Sequence, residues 1–442
     1  MTTPFDIPLT FTVRLRKPEF ITPNKPTSHE QKIVSDIDDQ VSLRFQMPLV
    51  FFYRYDPSME GKDPAEVIKD ALAQTLVLYH PLAGRLREGN DGKLIVDCNE
   101  EGVMFIKADA DVTLEQFGEI LGFDQLLSDF PHSQAILNCP LLLIQVTRLK
   151  CGGFIVALRF NHVMCDGTGL KQFMSAIGEM ARGLVIPSIL PVWERHLLGA
   201  QDPPNVTFAH HEYDQVEATV TTLPLDNIVE RTFFFGTGEL SILRRLLPLH
   251  LHHCTKFEVL SAYVWRCRTI AVNLDPDEEV RMIFTVNARS KFNPPLPSGY
   301  YGNAFAIPAA MTTVRNLRQN SLGHAVELVQ QAKASVAEGY MKSVAALMII
   351  RNKQLPLSTV YGSYLISDVT NIGFEDINSG WGKAVFAGPA KAIGWISFFI
   401  PTKNKKGEIG TSVPICLPAP AMERFAKELD NILKHPELGG KN

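Results

Sequence analysis

The chain has 442 residues, 45% of them hydrophobic and 20% charged, with a formal net charge of −4. That length exceeds what one core usually organises and predicts two domains, and the composition is that of a soluble globular enzyme. Scattered basic residues and a slightly acidic balance exclude a nucleic-acid partner, while the lack of any long uninterrupted apolar run excludes a membrane span. Seven cysteines, at positions 98, 139, 151, 165, 254, 267 and 416, form no CxxC pair. Their spacing predicts neither a disulfide framework nor a zinc knuckle, and suits a reducing cytoplasm. The first twenty residues carry both charges early and are not expected to act as a signal peptide.

In chain order, Pro64 to Leu78 has apolar residues at three- and four-residue spacing and predicts a helix. Leu141 to Leu149 reads as a buried strand, Lys150-Cys151-Gly152-Gly153 as a turn, and Phe154 to Phe160 as the next strand. The period then changes. Leu170, Phe173, Met174, Ile177, Met180 and Ala181 lie on one helical face, and Gly183 closes it. From Pro187 to about Pro224, five prolines and poor periodicity suggest a crossover linker. Helices are expected from Phe257 to Ala271 and, as one long run, from Leu322 to about Ile350. Helices and strands alternate irregularly, so the expected fold class is mixed α/β (α+β).

His162, in Asn161-His162-Val163-Met164-Cys165-Asp166-Gly167, falls where a buried strand gives way to a loop and a helix. A side chain there projects into a cleft while the backbone behind it stays fixed. Imidazole suits removal of a hydroxyl proton, a role that typically contributes about 10²–10⁴-fold to a rate. Asp166 could order the loop by an ion pair, and Gly167 and Gly169 permit a tight path into the helix. HxxxD alone is a weak signal, since a polar residue capping a helix is the common explanation; the strand-loop-helix context raises it.

The motif NHVMCDG, with Asn378-Ser379-Gly380-Trp381-Gly382 downstream, resembles the HxxxDG and DFGWG signatures of the plant BAHD acyltransferases. Further markers run along essentially the whole chain: Ser35-Asp36-Ile37-Asp38-Asp39-Gln40, Tyr79-His80-Pro81-Leu82-Ala83-Gly84-Arg85-Leu86, Pro140 to Gln145, Ile189 to Trp193, and Gly299-Tyr300-Tyr301-Gly302-Asn303. Several look most like the alcohol acyltransferase and benzyl-alcohol benzoyltransferase branch. The resemblance implies two chloramphenicol-acetyltransferase-like domains with mixed sheets and an active-site tunnel between them. On this chain they would be residues 1–190 with HxxxD and 226–442 with the GWG motif, joined by a linker over 191–225.

It further implies an acyl-CoA-dependent alcohol O-acyltransferase making esters through a ternary complex. Acyl-CoA is then a co-substrate, no cofactor is permanently bound, and the enzyme is a cytoplasmic monomer. His162 maps to the base and Asp166 to a loop brace whose partner is Arg289. Ser367 and Asp368 map near the thioester carbonyl, where an oxyanion donor could lie. Thr255 and Lys256 map near the pantetheine and phosphates of coenzyme A. Asn378, Gly380, Trp381 and Gly382 form a structural motif expected at the domain interface, bordering the coenzyme A channel. Here Asn378 and Ser379 replace the family's Asp-Phe, and Asp376, two residues earlier, is a candidate stand-in for the missing carboxylate.

No metal is expected. His250, His252, His253 and Cys254 are too closely spaced for tetrahedral ligation. His210 and His211 read as surface residues of the linker, and His80, before a proline, as packing. No GxSxG, GxGxxG or Walker A loop is present. Two alternatives to the ester reading are amide formation on an amine, for which no acidic cluster is evident, and a non-catalytic acyl-CoA-binding relative.

Overall fold

The computed structural model describes residues 11–434 apart from 90–91, 118–125, 127–135, 215–226, 352–360, 391 and 393–395. Two sheets organise it. The first has seven strands, ordered Val13–Leu15, Val103–Ala110, Leu142–Leu149, Phe154–Asn161, Gln46–Tyr53 and Phe386–Pro389, with Glu19–Ile21 also pairing with Val103–Ala110. The second has six, ordered Ile228–Phe235, Ile409–Pro418, Ile396–Lys403, Ser363–Asp368, Glu279–Phe284 and Ala309–Thr313. Both mix parallel and antiparallel pairs. The architecture is thus mixed α/β.

Leu142–Leu149 and Phe154–Asn161 are buried almost throughout, because helices cover one face of their sheet and a further apolar cluster fills the other. Pro64–Leu78 packs on Gly167–Ala181, the helix that follows the histidine loop. On the second sheet, Lys256–Val272 lies against Leu322–Ala334 and Ala419–Lys434. The strand Phe386–Pro389 comes from the C-terminal part of the chain yet pairs antiparallel with Gln46–Tyr53. The sheets therefore do not divide at the linker: residues 374–389 leave the second sheet and complete the first.

Sequence periodicity misplaces one helix. The run from Leu322 to Ile350 is two helices, Leu322–Ala334 and Glu338–Ile350. The Ser335 hydroxyl donates to the Ala332 carbonyl at 2.7 Å, and Ala337 is extended (φ −136°, ψ −179°). Such a local hydroxyl bond competes with the helical ladder. Val336 turns inward at the break. The end of the expected linker, from 215 to 225, lies outside the described residues.

Candidate active site

Asn161 ends its strand and turns the chain. Its Oδ1 accepts from Val163 N at 3.1 Å, and its carbonyl accepts from Met164 N at 3.0 Å. His162 N donates to the Phe45 carbonyl at 2.9 Å, which ties the loop to the neighbouring segment. Asp166 then caps the next helix, its Oδ1 accepting from Gly169 N at 2.9 Å. Gly169 is needed for close approach, since a Cβ there would stand 2.0 Å from the Tyr301 carbonyl oxygen.

The Asp166 carboxylate has partners of its own. Arg289 donates to it twice, at 2.7 and 2.9 Å, and Ala304 N donates at 3.0 Å. Arg289 also reaches the Gly302 carbonyl at 2.8 Å. A bidentate pair of this kind fixes geometry as well as charge. It pins the 162–166 loop to the chain segment 289–304.

The imidazole has a different partner. Asn303 Oδ1 lies 3.1 Å from His162 Nδ1. Asn303 Nδ2 faces the Asp38 carboxylate at 2.8 Å and the His162 carbonyl at 2.8 Å, both of which only accept. The amide cannot be turned over without losing those bonds, so its oxygen meets the ring and Nδ1 carries the proton. Nε2 is then the free basic nitrogen. Phe45, Phe160 and Phe305 surround the ring at centroid distances of 5.1, 5.4 and 6.1 Å. Burial among them lowers the imidazole pKa from its ordinary value of 6.5, outweighing the opposing pull of the nearby carboxylates.

Behind Asn303 stands a second buried ion pair. Asp38, fully buried, accepts from Arg195 Nη1 at 2.9 Å and from Asn303 N at 2.9 Å. Arg195 also bonds the Met164 carbonyl at 2.7 Å and lies over the Trp193 ring at 4.3 Å. Asp38 and Asn303 sit in stretches noticed in the sequence, yet nothing local in either stretch marks its contact with the histidine.

His162 opens onto a cavity of about 780 Å³ between the sheets. Its lining includes Thr255, Lys256, Lys291 and Lys333 as well as the apolar Met47, Leu49, Phe160 and Phe374. Ser367 and Thr285 also line it, their hydroxyls sharing a long contact of 3.5 Å in which either can donate, so that one O–H remains for a third oxygen. Asp368 lines it too, but its Oδ1 is occupied by the backbone and hydroxyl of Thr370, at 2.8 and 2.6 Å. A carboxylate has no proton to donate, so of this pair only Ser367 fits an oxyanion. Thr255 caps its helix, its hydroxyl oxygen accepting from Glu258 N at 3.2 Å, which leaves the O–H able to donate beside the Lys256 cation.

The glycine-tryptophan motif lies elsewhere. Trp381 packs edge-on against Phe154 at 5.1 Å, in the core of the first sheet, and is not among the cavity-lining residues. It holds residues 374–389 to that sheet, a segment whose Phe374 reaches the cavity. Asn378 Oδ1 accepts from Gly380 N at 2.8 Å and Gly382 N at 3.0 Å. Asn378 itself therefore supplies the oxygen that closes this loop. Asp376 is no stand-in, since it pairs with exposed Lys383 at 2.6 Å. His210, expected at the surface, is buried against Ser343. His250 bonds Glu327 at 3.0 Å, and His252 bonds the Leu247 carbonyl at 3.0 Å.

Cys165 is buried and outside the cavity lining, and burial pushes its thiol pKa well up. A ready thiolate is therefore missing beside the imidazole. An imidazole with Nδ1 engaged, set on a cavity and, among the described residues, without an activated nucleophile beside it suits a direct group-transfer enzyme that acts on two substrates held together.

The comparisons give that class its family. A model of the Transferase family matches residues 11–432. The chain is 61% identical over 437 residues to a benzyl alcohol O-benzoyltransferase of Petunia hybrida, covering 96% of this chain and 95% of the relative. It is 52% identical over 438 residues to alcohol acyl transferase 1 (allele GSa) of Malus domestica, with coverage of 96% and 95%. Among solved structures, vinorine synthase shares the fold at a TM-score of 0.74 and 20% identity, covering 95% of this chain and 98% of that one. F. graminearum TRI101, solved with coenzyme A and deoxynivalenol, matches at 0.72 and 16%, over 90% and 97%. The chain belongs to the BAHD acyltransferases.

Proposed function

We propose that this acyltransferase joins a small alcohol, benzyl or aliphatic, to an acetyl, benzoyl or similar acyl group, with His162 as the general base. The chain is an acyl-CoA-dependent alcohol O-acyltransferase, as its identity with the Petunia and Malus enzymes supports. The observation that carries the mechanism is the imidazole with Nδ1 engaged by Asn303 and Nε2 left for the cavity. In the first step Nε2 takes the hydroxyl proton as the alcohol oxygen attacks the thioester carbonyl. The tetrahedral oxyanion is held by Ser367, with Thr285 beside it. Collapse expels the coenzyme A thiolate, and the imidazolium returns the proton to it. The Asp166–Arg289 pair braces the loop and takes no part in proton transfer.

The three phenylalanines around His162 favour an aromatic or long aliphatic alcohol over a small polar one. The test is a panel of acetyl-, butanoyl- and benzoyl-CoA against benzyl alcohol, hexanol and benzylamine. Ester formation from benzyl alcohol is the expected result. Amide formation from benzylamine in preference to any ester would overturn the reading.

Lys256 leads the reading of the coenzyme A end, because it opens a long helix and lines the cavity with Lys291 and Lys333. Lys256→Ala is expected to raise KM for acyl-CoA about 3- to 10-fold and leave kcat within twofold. The difference should shrink as salt rises. A fall in kcat with KM unchanged would remove Lys256 from that role. Among the described residues no helix is long and apolar enough to cross a membrane. The scattered basic residues and net charge of −4 favour a chain without nucleic-acid partners, and we read it as a cytoplasmic monomer that takes acyl-CoA as a co-substrate and carries no resident cofactor.

A further inference from the structure

The linker does more than connect. Ser343, on the helix Glu338–Ile350, accepts at its hydroxyl oxygen from Thr207 N at 3.0 Å and Phe208 N at 3.1 Å. The same hydroxyl lies 2.8 Å from His210 Nε2. With its acceptor capacity taken by two N–H groups, Ser343 gives its proton to Nε2, and His210 Nδ1–H then donates to Glu212 Oε1 at 3.1 Å. The Tyr340 hydroxyl donates to that same oxygen at 2.6 Å. His210, Glu212 and Ser343 are 6, 1 and 1% exposed. None of the three lines the cavity, so this serine, histidine and carboxylate have no room for a substrate. They form a clasp.

What the clasp holds is the next residue. Tyr213 lies in a three-residue turn, His211–Tyr213, with no longer element to fix it. Its ring is buried, and its hydroxyl donates to Gln40 Oε1 at 2.5 Å. Tyr213 and Gln40 both line the cavity, as do Val344, one residue from Ser343, and Ile307 and Leu365 of the same apolar cluster. The cavity thus has a wall made by this apolar cluster, a lobe that reaches the histidine through Phe305, which packs on the same cluster.

We propose that Tyr213 is a specificity-determining residue, the wall that sets how long a carbon chain this lobe accepts. The chain is an alkyl or aryl group of one of the two ester-forming substrates, the acyl donor or the alcohol. This rests on the ester-forming reading above. Tyr213 shares no hydrogen bond with His162, Asn303, Asp166 or Arg289. Removing its ring lengthens the lobe while the base and its supports keep their partners. A methylene buried from water is worth about fourfold in affinity, so room for two more is worth more than tenfold.

The experiment uses the full chain and two series. In one, straight acyl-CoA thioesters from two to ten carbons react with benzyl alcohol. In the other, straight alcohols of two to ten carbons react with acetyl-CoA. Tyr213→Ala is expected to raise the ratio of kcat/KM for the longest over the shortest member at least tenfold in one series, and that series identifies the group in the lobe. Tyr213→Phe, which keeps the ring, should retain the wild-type profile. Should the alanine variant fail to fold, Tyr213→Leu shortens the wall while staying apolar and is read the same way. A folded variant with both profiles unchanged, or with activity lowered equally at every length, overturns the proposal alone. A wild type that makes no ester overturns the underlying reading and this inference with it.

Discussion

His162→Ala is expected to bind acyl-CoA as the wild type does and to lose turnover by about 10²–10⁴-fold, the usual contribution of a positioned general base. The substitution leaves the Asp166–Arg289 pair and the Asp38–Arg195 pair intact, so the loop keeps its supports and the loss is chemical. Steady-state kinetics with an equilibrium measurement of acyl-CoA binding separates the two effects. A rate within tenfold of wild type would remove His162 as the base. The pH profile gives an independent check. The base must be neutral to act, and burial lowers its pKa from 6.5, so the proton leaves at lower pH than from a free imidazole. kcat/KM should therefore stay level as pH falls through 6.5 and decline only below it. His162→Ala should lose that acidic limb along with its rate. A wild-type limb at or above pH 6.5 would contradict the dry environment drawn from the three phenylalanine rings.

How much of this the sequence disclosed depends on how local each feature is. Strand, loop and helix around His162 are written in consecutive residues, and the expected helix Phe257 to Ala271 is observed as Lys256–Val272. The pairing of Asp166 with Arg289 spans 123 positions and came from the family resemblance, not from periodicity. Asn303 against His162 spans 141 positions and Asp38 against Asn303 spans 265; no propensity or spacing encodes contacts that tertiary packing alone creates. The same reason hid the clasp. His210 sits in a proline-marked stretch that reads as surface loop, yet Ser343, 133 positions away, buries it. The break at Ser335 was missed because apolar spacing continues across it, whereas the hydroxyl bond that ends the helix leaves no periodic signal. Asp376 failed as a stand-in because Asn378 carries its own acceptor oxygen, which is all that loop requires.

Asp38 provides the second large effect, and it acts through another residue. Five donors converge on this fully buried carboxylate: Ser35 N and Oγ, Arg195 Nη1, and Asn303 N and Nδ2. Removing one member of a buried ion pair leaves an uncompensated charge and typically costs about 3–5 kcal/mol. Asp38→Ala strands Arg195 and is expected to lower the melting temperature by several degrees. Asp38→Asn is the more telling variant. It keeps the shape and most of the packing but replaces one acceptor oxygen with an amide that must face a donor. If that donor is Asn303 Nδ2, Asn303 turns, and its oxygen no longer holds the proton on His162 Nδ1. The imidazole then samples the tautomer in which Nε2 is protonated and cannot accept the substrate proton. The expected result is a folded protein whose kcat falls at least tenfold with little change in KM for either substrate, the split expected when an interaction specific to the transition state is lost. A purely structural Asp38 would move the melting temperature and leave kcat of the folded fraction alone. Asn303→Asp tests the same chain from its far end. A carboxylate there still accepts from Nδ1 but repels Asp38, so it should lose more stability than Asp38→Asn while keeping more of the rate per folded molecule.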